Sequence, residues 1–316
     1  MPVDVVCISG NPSLDRRLRL ESLRAGEVNR ATSVEPLPGG KAAHVAMACA
    51  GLGIEPAWVG LLGGAIGEEC ASGLRALGIR VTAVQSSASS RVNLEIIDDY
   101  GVVTEILEPG SPPSAEEQEQ LLNACNDRFK AEWKRTIVAL SGSLPAGTAP
   151  GLYAQLIRKA HGAGLKAFLD TSGEWLLAAL EAKPEFVKIN AAEAQAIKPA
   201  AHRDIKWASS AAQELIERGA GSAAVTLGAD GILWRSADGT EWSARPPKLN
   251  CISSVGSGDC TLAGFVYAAC KGMTGEDAIR FAAACGAANC QTKVTARISI
   301  HDVHALMKHI SIKSLR

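Results

Sequence analysis

Aromatic side chains make up only 4% of the 316 residues, too few for the stacking surfaces of aromatic-rich binding proteins. Neither sign of charge is in excess: Lys and Arg number 32, Asp and Glu 33, and the net charge is -1. That balance argues against a broad cationic face for nucleic acid but leaves room for a local basic pocket. No apolar run approaches the ~20 residues of a bilayer-crossing helix, so a soluble chain with no membrane partner is expected. The nine cysteines, at positions 7, 49, 70, 125, 251, 260, 270, 285 and 290, include no C-x-x-C pair. Neither a zinc ribbon nor a disulfide framework suits that scatter and odd count. Met1 to Ile8 lacks the basic segment, long apolar core and small-residue cleavage site of a secretory signal, so reduced thiols and a cytoplasmic location are expected. Internal repeats and low-complexity linkers are also missing. What is present is glycine, 31 residues, within an ordinary 47% hydrophobic and 21% charged composition. That suits sheet-and-helix layers joined by tight turns, in about two domains or one large α/β domain with an elaboration.

Val3 to Ser9 is a short apolar run that ends at Gly10-Asn11-Pro12, the pattern of a buried strand delivering a polar turn at its carboxyl end. Lys41 to Leu52 is Ala-rich and entered from a Gly pair, which predicts a helix; Ala57 to Leu62 reads as a strand, Glu68 to Leu77 as a helix and Val81 to Gln85 as extended. Arg91 to Ile97 and Val102 to Leu107 flank Asp98-Asp99-Tyr100-Gly101, a hairpin signal with no helix between its strands. Together with Asp15 to Leu20 and Val28 to Val34, they predict a small antiparallel sheet acting as a lid, drawn from segments at about 12–38 and 88–110 of a single domain spanning 1–316.

A helix from Ser114 to Ala131 should open with a capping box, Ser114 and Glu117. Strands and helices then alternate. Thr136 to Leu140, Ala167 to Asp170, Phe186 to Ile189 and Ala223 to Leu227 read as strands, with helices near Pro150 to Ala163, Glu174 to Leu180 and Ser209 to Arg218. This predicts a mostly parallel sheet with helices on both faces. A hairpin follows around Asp238-Gly239, then Ala-rich helices at Ser257 to Cys270 and Glu276 to Gln291, and a last helix near His301.

The most informative segment is Ser253 to Phe265, in which Gly256-Ser257-Gly258 leads into Asp259 and a helix. Two glycines around a serine let backbone NH groups curl round an anion, and the positive end of the helix dipole adds attraction for phosphate. A carboxylate at that place repels a phosphate unless it has a task, and accepting a proton from a hydroxyl that attacks the phosphate is the obvious one. An N-terminal aspartate favoured by the helix dipole is the equal alternative on these residues alone. The segment is not a dinucleotide fingerprint, because Thr261 stands where G-x-G-x-x-G has its third glycine. His301, His304 and His309 lack a carboxylate or cysteine at metal spacing, and Cys260 reads as a packing residue.

Seven elements occur in order: Asn11-Pro12-Ser13-Leu14-Asp15, Pro38-Gly39-Gly40-Lys41, Ser141-Gly142-Ser143-Leu144-Pro145, Asp170-Thr171-Ser172-Gly173, Lys188-Ile189-Asn190 with Glu193, Thr226-Leu227-Gly228 with Asp230-Gly231, and Gly256-Ser257-Gly258-Asp259. In these the chain resembles the ribokinase-like carbohydrate kinases of the PfkB family, in the branch of 1-phosphofructokinases, minor 6-phosphofructokinases and tagatose-6-phosphate kinases. The resemblance implies a three-layer α/β/α fold with a β lid and an ATP-dependent kinase of a ketohexose phosphate, with Mg²⁺ and, as a further candidate, a monovalent cation. A homodimer through the lid is also implied. A kinase of an unphosphorylated sugar or nucleoside and a non-catalytic sugar-phosphate sensor are the alternatives.

By the same resemblance Asp259 is the catalytic base and Gly256, Ser257 and Gly258 form the anion hole. Asp15, Gly39, Gly40 and Ser141 face the sugar, while Arg91, Asn93 and Lys41 are candidates for its phosphate, an arginine fork suiting a phosphate already present. Lys188, Asn190, Thr226, Gly228, Gly231 and Gly258 fall to the nucleotide, and Glu193 to magnesium through water. Asn190 and Glu193 would equally make a helix N-cap. One departure stands out: after Gly-Gly-Lys the family usually has Gly-Ile-Asn-Val-Ala, and here the asparagine that touches the sugar is His44, a bulkier group able to carry charge.

Overall fold

The computed structural model describes residues 3–129 and 136–315. The first half alternates strands and helices around an inserted group of strands: β1 (Val5–Ser9), β2 (Ser13–Leu20), β3 (Ser33–Gly39), α1 (Lys41–Gly51), β4 (Pro56–Leu62), α2 (Gly64–Ala76), β5 (Arg80–Gln85), β6 (Arg91–Asp98), β7 (Val103–Leu107) and α3 (Ala115–Asn126). Regular alternation follows: β8 (Ile137–Ser141), α4 (Leu152–Gly162), β9 (Lys166–Asp170), α5 (Gly173–Leu180), β10 (Phe186–Asn190), α6 (Ala191–Ile197), α7 (Ile205–Glu217) and β11 (Ser222–Thr226). The chain ends with β12 (Ile232–Ser236), β13 (Glu241–Arg245), α8 (Ser257–Lys271), α9 (Gly275–Cys290), α10 (Ile300–Met307) and β14 (Ser311–Ser314).

Ten strands form one sheet in the order β14-β13-β12-β11-β10-β9-β8-β1-β4-β5. From β11 to β5 every pairing is parallel, and β12, β13 and β14 add an antiparallel edge. The period-2 alternation of a strand divides its side chains between two cores: Val5 and Cys7 of β1 pack with α1, α2, α8, α9 and α10, whereas Val6 and Ile8 pack with α3, α4, α5 and α7. This is the expected three-layer, ribokinase-like arrangement. Because β4 and β8 flank β1 on opposite sides, the strand order reverses there, and a crevice opens at the carboxyl ends of the strands.

The small sheet has the order β3-β2-β6-β7. Its outer pairings are antiparallel, but β2 and β6 run parallel, with Ser13 opposite Arg91, Asp15 opposite Asn93 and Arg17 opposite Glu95. The long passage through α1, β4, α2 and β5 between β2 and β6 makes that parallel pairing possible, since no tight turn has to join them. The strand expected over Val28 to Val34 lies instead at Ser33–Gly39. Pro36 and Pro38 disguise it in the sequence, and they are accommodated because β3 is an edge strand.

Other differences are at element ends. The Ser114–Glu117 capping box is present, but α3 stops at Asn126, and the expected end at Ala131 lies outside the described residues. Helix α7 begins at Ile205, ahead of the expected Ser209, because Asp204 caps it by accepting from the Trp207 NH at 2.9 Å. Strand β14 had no sequence signal. No described helix is long and apolar enough to cross a membrane.

Candidate active site

A cleft of about 1300 Å³ lies between the carboxyl ends of the parallel strands and the small sheet. At its centre Gly256 caps α8 with φ 78°, a left-handed conformation that glycine adopts without penalty. A Cβ there would also lie 2.5 Å from Thr295 Cγ2. The turn is tied to α9 by Asn289, whose Nδ2 donates to Val255 O at 2.7 Å and Ser257 Oγ at 3.0 Å, while its Oδ1 accepts the Ala296 NH at 2.8 Å. The Ser257 NH donates to Ser254 O at 3.1 Å, and the Gly258 amide follows at the N-terminus of a 15-residue helix, a place suited to an anion. Asp259 follows within the first turn, buried, and lines the same cleft.

The sugar-side candidates come from the small sheet and α1. The parallel β2–β6 register puts Asp15 beside Asn93: Asp15 Oδ1 accepts from Ser13 Oγ at 2.7 Å and from Asn93 Nδ2 at 2.9 Å. Gly39 must lack a side chain, because its Cβ would fall 2.1 Å from Asp15 Oδ1. Gly40 turns the chain into α1, which carries His44 inward. The buried imidazole spans two carboxylates, with Nε2 3.2 Å from Asp15 Oδ2 and Nδ1 2.8 Å from Asp259 Oδ2. Burial alone would lower the ring's proton affinity, but the hydrogen bonds and charges of Asp15 and Asp259 raise its pKa to about 10. Burial pushes Asp15 up, yet His44, Ser13 and Asn93 together hold it below its usual value.

Arg91 is anchored by Nη1 to Glu108 O at 2.6 Å and by Nη2 to Asn11 O at 3.1 Å. Its Nε, together with Asn93 Oδ1 and Ser141 Oγ, is buried without a partner among the described residues. All three residues line the cleft, and buried polar atoms are normally paired; a polar ligand with both donors and acceptors would complete them.

On the opposite side Asp170, fully buried at the end of β9, sits between two lysines: Lys41 Nζ is 3.1 Å from Oδ1 and Lys188 Nζ 2.5 Å from Oδ2. Lys41 also donates to Glu193 Oε1 at 2.9 Å. Lys41 is therefore held by the carboxylates of β9 and α6, whereas the resemblance made it a candidate for the sugar phosphate. Asn190 and Glu193 form a complete capping box on α6, so Glu193 keeps Oε2 on the Asn190 NH and Oε1 on Lys41. Both oxygens retain a free lone pair for water, which fits a role in holding a hydrated Mg²⁺ better than direct ligation. No group of three or more His, Cys, Asp or Glu that could hold a metal occurs among the described residues. Thr226, Gly228 and Gly231 line the cleft beside Lys188, which lies 3.0 Å from where a Cβ on Gly258 would stand.

Two features escaped the sequence. Asp170 stood in a motif without a role, its only signal a polar residue at the end of an apolar strand. A second, buried pair joins the small sheet to the anion turn: Arg17 donates through Nε and Nη2 to Glu95 Oε2 at 2.9 and 2.7 Å, Ser253 Oγ donates to Glu95 Oε1 at 2.9 Å, and Arg17 Nη2 reaches Thr295 Oγ1 at 2.6 Å. Arg17 has no local cue that separates it from Arg16 and Arg19, the two other arginines of β2.

Comparison with known proteins agrees with this geometry. The model for pfkB family carbohydrate kinases matches residues 4–301. A 1-phosphofructokinase of Haemophilus influenzae is 31% identical over 284 residues, covering 90% of each chain, and one of Xanthomonas campestris is 32% identical over 279 residues, covering 85% of each. Phosphofructokinase-2 of Escherichia coli, solved in complex with fructose-6-phosphate, is 28% identical with a TM-score of 0.86 over 98% of this chain and 99% of that one. The same enzyme in complex with potassium gives a TM-score of 0.89 with the same identity and coverage.

Proposed function

Because the chain belongs to the pfkB family of carbohydrate kinases and is a sugar-phosphate kinase, we propose that its acceptor is a ketohexose phosphate, with fructose 1-phosphate the first candidate, and its product the bisphosphate. The observation that carries this reading is the meeting, in one cleft, of an anion turn, the Asp259 carboxylate and the unpartnered polar atoms of Arg91, Asn93 and Ser141. The names of the 31% and 32% identical relatives support fructose 1-phosphate; fructose 6-phosphate and tagatose 6-phosphate are the other candidates.

In this reading Asp259 takes the proton of the attacking hydroxyl as the new oxygen–phosphorus bond forms and the bond to the nucleotide diphosphate breaks. The amides of Gly256 and Gly258 and the N-terminus of α8 stabilise the charge on the phosphoryl group in flight, and the Ser257 NH joins them by leaving Ser254 O. Lys188 stands beside that turn and adds positive charge. Asn190 and, through water, Glu193 would hold Mg²⁺, which supplies charge neutralisation at the nucleotide phosphates when bound. Asp15 and Asn93 orient the sugar, with Gly39 and Gly40 letting the backbone approach it, and the small sheet closes over the site to exclude water as a competing acceptor.

The test is ADP release from MgATP with fructose 1-phosphate, fructose 6-phosphate, tagatose 6-phosphate, free hexoses, ribose and nucleosides. Stimulation by a sugar phosphate alone is expected; stimulation only by an unphosphorylated acceptor would overturn the proposal. Arg91→Ala should raise the KM for the sugar phosphate by ~10- to 100-fold, the loss of a charge-assisted contact of ~1.5–3 kcal/mol, with the KM for MgATP little changed. An equal rise in both would remove Arg91 from the acceptor site.

We also propose a homodimer through the small sheet. Val34 and Ile106 lie on its face opposite Asp15 and Asn93, and both are more than half exposed, as are Val28, Tyr100, Val102 and Leu107 around them. Light scattering should give twice the 32.9 kDa chain mass, and Ile106→Asp should reduce it to one; a wild-type monomer would remove this proposal.

A further inference from the structure

We propose that His44 is a positioning residue for Asp259: its ring donates at both nitrogens, pinning Oδ2 of Asp259 and Oδ2 of Asp15, so that Oδ1 of Asp259 is the oxygen presented to the acceptor hydroxyl. The inference rests on the reading of Asp259 as the proton acceptor. An ionised carboxylate only accepts hydrogen bonds, and a neutral imidazole can donate only one. A ring 2.8 Å from one carboxylate and 3.2 Å from another is therefore an imidazolium, or else one of the carboxyl groups carries the proton. Either way the three residues hold one proton more than a neutral ring between two carboxylates would. They come from β2, α1 and α8, so the ring joins the small sheet to the helix that carries the anion turn. It also places a positive charge between two buried carboxylates, which would otherwise repel each other and the phosphates brought beside them.

The charged surroundings leave this assignment distinct. Lys41 lies one turn earlier on α1, Arg91 and Glu95 approach from β6, Glu105 from β7, and the Cys70 thiol of α2 stands behind Asp15. Lys41 is pushed up by Asp170 and Glu193 against the effect of burial, and burial lifts Cys70 to about 12. His44, raised by the two carboxylates to about 10, loses its proton as the pH approaches that value. Its proton affinity is raised from the ordinary 6.5, so its contribution to stability is complete below about pH 6.5 and is lost as the pH rises through about 10.

The experiment compares wild type with His44→Asn and His44→Gln, each of which keeps a donor but cannot satisfy both carboxylates with charge. The kcat, the two KM values and thermal stability are measured from pH 6 to 10, and the ring is followed by NMR titration of histidine-labelled whole protein. The expected result is a kcat reduced by ~10- to 100-fold in the variants, the scale of a misplaced catalytic group, with the KM for MgATP within about two-fold. The wild type loses activity towards pH 10, a limb the variants lack, and the stability gap between them closes over the same range. The ring should remain charged beyond pH 8 in wild type and titrate lower in Asp259→Asn. An active wild type whose ring titrates near 6.5, or variants that raise only the KM for the sugar phosphate, would overturn the positioning role and leave the kinase reading intact. No active acceptor in the panel, with the ring still charged, would overturn the kinase reading and the role assigned to the ring with it.

Discussion

Asp259→Asn is expected to lower turnover by ~10²- to 10⁴-fold, the usual contribution of a positioned general base, while the binding of MgATP changes little. The substitution keeps the shape of the side chain, and the amide oxygen can still accept from His44 Nδ1, now 2.8 Å from the carboxylate. The anion turn is backbone, held by Asn289 from a different helix, so the nucleotide phosphates should meet the same amides. What disappears is the atom that takes the proton when the acceptor hydroxyl attacks. Steady-state kinetics with calorimetric titration of MgATP checks both halves. Near-normal turnover would remove Asp259 from the chemistry; lost nucleotide binding would mean that the variant had disturbed the turn.

Asp170→Ala is expected to destabilise the fold by about 3–5 kcal/mol, the effect of leaving one member of a buried ion pair behind. Lys188 is only 2% exposed and Asp170 is its sole ion-pair partner among the described residues, whereas Lys41 would keep Glu193. The effect should carry a pH signature. Burial alone would raise the pKa of Asp170, but Lys188 and Lys41 pull it below the ordinary 3.8, so its contribution is present above about pH 4 and is lost as the pH falls through the depressed native value. Urea unfolding at pH 7 and near pH 3 should show the gap between wild type and variant narrowing in acid. A variant as stable as wild type at pH 7 would mean that Lys188 finds another partner or is neutral.

The order of strands and helices was readable because each signal lies within one element. The Ser114 and Glu117 capping box, the glycine-serine-glycine turn before α8 and the apolar runs of β1 and β8 concern residues a few positions apart, where backbone geometry and burial act directly. Failures came where a distant partner decides the outcome. The edge position of β3 excuses two prolines, and β14 exists because β13 offers it a free edge.

The sequence by itself determined the layered α/β architecture, the glycine-serine-glycine turn proposed to receive an anion, and the set of polar residues at strand ends proposed to build the phosphotransferase site. Tertiary structure decided how those residues are wired. His44 and Asp259 are 215 residues apart and Lys41 and Asp170 129 apart, and nothing local distinguishes a histidine that touches a sugar from one that bridges two carboxylates. Only the packing of α1 between the small sheet and α8 sets that ring between two carboxylates, whose hydrogen bonds and charge outweigh the opposing effect of burial and make an ordinary imidazole a charged strut.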